Sequence, residues 1–136
     1  MLIVDDEAGV RALLTRWLAP VDCSLCEAAD AESALHILEL KPIAAVLCDL
    51  TMPGQGGEWL VSQIRERFPT VAIVIATSND AVPARVSLQR GVVGYLLKPF
   101  VRADVLNTVA EAIAWHRAAS RQAERKRDET TGGEQP

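Results

Sequence analysis

No apolar run in this 136-residue chain approaches the roughly 20 residues needed to cross a bilayer. No basic segment followed by an apolar one opens it, so a cytoplasmic protein without membrane attachment is expected. Cysteine is scarce and odd in number: Cys23, Cys26 and Cys48 lie in or beside apolar runs, which argues against a disulfide framework and for a reducing compartment. Cys23 and Cys26 form a C-x-x-C, but His36 and His116 stand apart, at no zinc spacing. The motif also enters a strand, not the helix N-terminus that would lower a thiol pKa. Aromatic residues make up only 4% of the chain, and residues 1–116 carry nine Lys/Arg against fourteen Asp/Glu. Such a body lacks the clustered basic face that phosphate neutralisation requires, so direct nucleic-acid binding is not expected of it.

What the chain does have is alternation. Leu2–Val4 is a short apolar run, and Val10, Leu13, Leu14, Trp17 and Leu18 then recur at helical period up to Pro20. A weak strand near Leu25–Ala28 precedes Asp30, placed to cap a helix with Ala34, Leu35 and Leu38 on one face that stops before Pro42. Ala44–Leu47 shows no polar alternation, as for a strand covered on both faces. Glu58–Arg67 reads as the next helix and Val71–Ala76 as the next strand. Asp80 can then cap a helix that admits Pro83 in its first turn and ends at Gly91. Gly94–Leu97 gives a fifth strand, and a last amphipathic helix starts near Arg102. Five β-then-α units predict a parallel sheet sandwiched between helices. One domain over residues 1–118 is expected, followed by a charged extension, 119–136, that stays helical to about Lys126 and then frays for want of apolar residues.

In an open parallel sheet, function gathers outside the carboxyl ends of the strands. There the first strand delivers Asp5 and Asp6, the third Asp49, the fourth Thr77 and Ser78, and the fifth Lys98 followed by Pro99. Taken singly each has an ordinary explanation: Asp5 and Asp6 as helix caps, Asp49 as a turn residue, Thr77 as a strand-end hydroxyl, Lys98 as a solvated charge. Their joint appearance at one rim is another matter. Three neighbouring carboxylates repel, and Lys98 compensates only one charge. A hard divalent ion with oxygen ligands suits the remainder, and Mg2+ suits a shallow site because it keeps several waters and accepts a phosphoryl oxygen. Asp49 can then act as a nucleophile toward phosphorus, with Lys98 and the Thr77 hydroxyl on other phosphoryl oxygens. A cis Lys98–Pro99 peptide would aim Lys98 over the sheet edge, an isomer the sequence leaves open. Tyr95 reads either as a half-buried packing residue or as an aromatic that moves when Thr77 does.

The stretches "LIVDDE", "AVLCDLTMPG", "VIATS" and "GYLLKPF" resemble, in register, the receiver domain of bacterial two-component response regulators of the chemotaxis type, over residues 1 to about 116. That resemblance implies a flavodoxin-like (βα)5 three-layer sandwich with strand order 2-1-3-4-5. It implies Asp49 as phosphoacceptor, and Mg2+ held by Asp5, Asp6, Asp49 and the Thr51 carbonyl. Phosphoryl oxygens would be bound by Thr77 and Lys98, with Tyr95 as switch aromatic. It implies a sensor histidine kinase or phosphotransfer protein as donor. The face of the fourth helix, fifth strand and fifth helix would be read by a C-terminal output domain, a partner or a second copy. Two departures stand out: the first strand begins almost at Met1, and Ser78 stands where alanine is common. The family's control of phosphate lifetime through positions such as Thr51 and Asn79 does not carry over. The competing readings are a haloacid-dehalogenase-like phosphatase, which would need a D-x-D pair after the first strand, and a constitutive interaction module.

Overall fold

Among the residues described by the computed structural model, namely 1–21, 24–52, 54, 56–78, 82 and 84–134, five strands alternate with five helices. In chain order they are β1 (Leu2–Val4), α1 (Ala8–Leu18), β2 (Cys26–Ala28), α2 (Ala31–Leu40), β3 (Ala45–Asp49), α3 (Gly57–Arg67), β4 (Ala72–Thr77), α4 (Ala84–Ser87), β5 (Val92–Leu97) and α5 (Arg102–Glu134). Every strand pair is parallel, and the order is β2-β1-β3-β4-β5. This is the three-layer α/β sandwich expected.

Strand alternation sorts the core into two layers. Leu2, Val4, Val46, Cys48, Ile73 and Ile75 face one side, where Leu38 of α2 and Leu60 and Ile64 of α3 cover them. Ile3, Leu47, Val74 and Ala76 face the other, under Leu14 and Leu18 of α1 and Val105 and Val109 of α5. β3 and β4 are buried at every position, which is why their sequences carry no polar alternation. Asp30 caps α2 through Ser33 N–H to its Oδ1 at 2.7 Å.

Several expectations are revised. β5 starts at Val92, ahead of Gly94, with an irregularity opposite Ile73/Val74 that absorbs the extra residue. α4 is a single turn in the described residues, shorter than the segment expected to end at Gly91; the capping Asp80 and Pro83 lie outside the described residues, as do Cys23, Pro53 and Asn79. α5 continues to Glu134 instead of fraying near Lys126. Once nucleated on the sheet, a helix propagates without burial on the favourable propensities of Ala, Arg, Gln, Glu and Lys, which reach to Glu129; the last turn, with Gly132 and Gly133, is favoured by neither propensity nor apolar residues. Among the described residues no helix is long and apolar enough to cross a membrane.

Candidate functional site

The sheet register brings the rim residues level. Val4 lies opposite Cys48 and Asp49 opposite Ala76, so Asp5, one residue past β1, comes beside Asp49 at the end of β3. Thr77 ends β4 opposite Leu97, and Lys98 follows at once, its backbone N–H donating to the Thr77 carbonyl at 2.9 Å. Among the described residues, Asp5, Asp49 and Thr77 are the three buried polar residues that stand out from an otherwise apolar core, whereas Asp6 is exposed.

One carboxylate oxygen from each of Asp5, Asp6 and Asp49 lies within 4.8 Å of the other two. Lys98 Nζ bridges the two buried acids, 2.8 Å from Asp5 Oδ2 and 3.2 Å from Asp49 Oδ2. The Thr51 N–H donates to Asp49 Oδ1 at 3.0 Å, so the loop after β3 folds back on the strand's last residue. Asp5 is held still more tightly. Its N–H donates to the Ala28 carbonyl at 3.2 Å, its Oδ1 accepts from the Glu7 N–H at 2.9 Å, and its carbonyl accepts from Arg11 Nη1 at 2.7 Å.

Burial pushes the Asp49 carboxyl above its ordinary range. The Thr51 hydrogen bond and Lys98 pull against that, and the charge of Asp5 adds to it. Burial would lower Lys98, but hydrogen bonding to Asp5 and Asp49 together with their charges outweighs it and leaves the ammonium pKa raised. Cys48, immediately behind Asp49 and fully buried, is pushed up to about 12 by burial and by the neighbouring acids. The rim thus holds three carboxylates against one bridging ammonium, a hard-oxygen donor set that fits a divalent cation.

Tyr95 does not join this cluster. It is 45% exposed on β5, with its hydroxyl donating to the Ser87 carbonyl at 3.3 Å, a position compatible with both of its readings. Thr51 is exposed beside the rim, and the Lys98–Pro99 peptide is cis. A cleft of about 560 Å3 lies at the opposite end of the sheet, lined by Lys41, Arg67, Phe68, Thr70 and His116 among others, and touches none of these residues.

Two contributors escaped the sequence reading. A Cβ on Gly57 would sit 2.3 Å from the Asp49 carbonyl oxygen and 2.7 Å from Leu50 Cα, so α3 begins against the backbone that carries Asp49, and only glycine permits the approach. The Gly56-Gly57 pair before a helix was the available signal. Arg11, one turn into α1, reaches back to the Asp5 carbonyl; nothing in its spacing announces this.

A family model described as the response regulator receiver domain matches residues 1–110. The DNA-binding transcriptional regulator NtrC of Escherichia coli is 33% identical over 113 residues, covering 82% of this chain and 24% of that protein. The transcriptional regulatory protein MalR of Bacillus subtilis is 36% identical over 103 residues, 74% of this chain and 44% of that protein. The chain therefore spans about a quarter to under half the length of these curated relatives. Among solved structures, a CheY-like response regulator receiver domain protein from Methanospirillum hungatei superposes with a TM-score of 0.75 at 28% identity, covering 86% of this chain and 95% of that one. The receiver domain of NtrX from Brucella abortus does so with a TM-score of 0.76 at 25% identity, covering 83% and 97%.

Proposed function

The chain belongs to the response regulator receiver domain family of two-component signalling, and from that premise we propose that Asp49 is its phosphoacceptor, loaded from a sensor histidine kinase or phosphotransfer protein in a Mg2+-dependent reaction. The observation that carries the reading is the convergence of the Asp5, Asp6 and Asp49 oxygens within 4.8 Å, with Lys98 bridging the two buried acids.

In the transfer, a carboxylate oxygen of Asp49 bonds to phosphorus as the phosphohistidine nitrogen–phosphorus bond breaks, and the imidazole keeps the electron pair. Asp5, Asp6 and Asp49, with the Thr51 carbonyl, would hold Mg2+, which when bound supplies neutralising charge to the phosphoryl oxygens. Lys98 already stands 3.2 Å from Asp49 and binds a second phosphoryl oxygen with little movement, while Thr77 at the adjacent strand end takes a third. Burial of Asp49 keeps its surroundings poor in water, and the Thr51 N–H fixes the carboxylate plane, so the nucleophile is oriented before the donor arrives.

The chain is a switch, not a turnover enzyme: the phosphoryl group is the signal. Its readout is assigned to the face of α4, β5 and α5, where Leu88, Tyr95, Leu97 and Val101 are exposed apolar or aromatic side chains. The Tyr95–Ser87 hydrogen bond ties β5 to α4 there, so a shift of Thr77 toward a phosphoryl group has a structural path to that face. A C-terminal output domain, a partner protein or a second copy would read it, in the cytoplasm, and α5 carries the chain away from the site toward such a reader. Incubation with acetyl phosphate and Mg2+ tests the reading by intact mass. One added phosphoryl group is expected on the wild type and none on Asp49→Ala; an adduct that survives in Asp49→Ala overturns it.

A further inference from the structure

We propose that Arg11 is a positioning residue for the acidic rim, setting Mg2+ affinity by gripping the peptide unit that joins Asp5 to Asp6. The carbonyl that accepts from Arg11 Nη1 at 2.7 Å belongs to that unit. A peptide unit is planar, so fixing its oxygen fixes the direction in which the chain leaves Asp5 and where Asp6 starts. The need for such a fix falls on Asp6 alone. Asp5 is already held at its N–H by Ala28, at Oδ1 by the Glu7 N–H and at Oδ2 by Lys98, whereas Asp6 is exposed. The grip on the shared peptide transmits the rigidity of Asp5 to Asp6.

Arg11 is itself held in place. Its Nε lies 3.3 Å from Glu27 Oε1, and its side chain is only 19% exposed. Glu27 sits on β2 opposite Ile3 of β1, so the arm that reaches the Asp5 carbonyl is braced by the sheet and not by the loop it organises. The brace has a second effect: a guanidinium paired with Glu27 is kept from swinging onto the rim carboxylates, where it would compete with a cation.

The inference rests on the reading of Asp5, Asp6 and Asp49 as metal ligands, and it makes a prediction opposite in sign to simple electrostatics. If Arg11 acted only as a nearby positive charge, removing it would strengthen Mg2+ binding. If it positions the acids, removing it weakens binding, by about tenfold as is usual when a group that orients metal ligands is lost.

Isothermal titration with Mg2+ alone on the full chain separates these. Arg11→Met is expected to raise Kd by about tenfold, Glu27→Gln by a smaller factor because the grip survives without its brace, and Arg11→Lys to recover only part because an ammonium cannot serve both partners. With acetyl phosphate, saturating Mg2+ should restore most of the Arg11→Met phosphorylation rate, since the nucleophile itself is untouched. Should Arg11→Met fold poorly, Arg11→Lys carries the test, because it keeps the charge and alters only the grip. Unchanged or tighter Mg2+ binding in a folded Arg11→Met, or in Arg11→Lys if only that variant folds, overturns the proposal while leaving the metal site intact. Absence of Mg2+ binding by the wild type overturns the metal site and the proposal with it.

Discussion

Replacing Asp49 by asparagine should make the metal-free protein more stable, although it removes an ion pair. At an effective dielectric of about 20, the Asp5–Asp49 repulsion across no more than 4.8 Å costs about 3.5 kcal/mol or more, and the exposed Asp6 adds about 1 kcal/mol nearer the aqueous limit. The lost attraction between Lys98 and Asp49 at 3.2 Å is about 5 kcal/mol on the same scale. The charge terms therefore nearly cancel, and the desolvation of a carboxylate only 4% exposed decides the sign. That is the same cause that pushes the Asp49 carboxyl upward. Asparagine keeps an oxygen for the Thr51 N–H and sheds the desolvation cost, so a gain of about 1–2 kcal/mol, or a Tm raised by about 3–8 °C, is expected in chelator-treated buffer. Added Mg2+ should close the gap, because a ligand at 100 times its Kd stabilises by about 2.7 kcal/mol the protein that binds it and the variant has lost a ligand. Thermal melts of both proteins with and without Mg2+ check this. A variant that melts below the wild type without metal, or equal stabilisation of the two by Mg2+, refutes the reasoning.

Gly57→Ala should cost about 3 kcal/mol in urea unfolding, since a Cβ 2.3 Å from the Asp49 carbonyl oxygen forces backbone apart, and it should slow phosphorylation by displacing the nucleophile; a neutral effect would refute the close-approach argument. Asp30→Ala should cost about 1 kcal/mol at neutral pH through loss of the α2 cap. Because the Ser33 N–H holds the Asp30 carboxyl below its ordinary value, this contribution is present above about pH 4 and disappears as pH falls through the lowered folded pKa, so wild type and variant should converge in acid. Cys48, buried with its thiol pushed up to about 12, should resist iodoacetamide at pH 8 in the native protein and react after unfolding in urea; peptide mapping that finds it alkylated in the native state would contradict the burial.

Strands buried on both faces are legible in a sequence because nothing polar interrupts them, and β3 and β4 appear where the uninterrupted runs lie. Asp5, Asp49, Thr77 and Lys98 were legible for a related reason: each is the first polar group after a short apolar run, so sheet register brings them level, and Asp6 follows Asp5. Groups that act across space through the backbone leave no such trace. Gly57 is required by its distance to the Asp49 carbonyl eight residues earlier, and Arg11 by a reach back to Asp5, and neither distance has a period. The length of α5 was missed in part through a misplaced criterion, since burial decides where a helix starts on a sheet but local propensity carries it on, here as far as Glu129.

The same contrast bears on how the site works. Asp49 is placed by β3, whose core contacts hold whether or not metal is present, whereas Asp6 lies outside the core on a turn whose geometry depends on hydrogen bonds to Asp5. On the proposed reading, an acid rim built half on core and half on a pinned turn would keep its nucleophile fixed while its metal affinity stays adjustable, and the adjustment would fall on residues such as Arg11 and Glu27 that touch neither phosphorus nor metal.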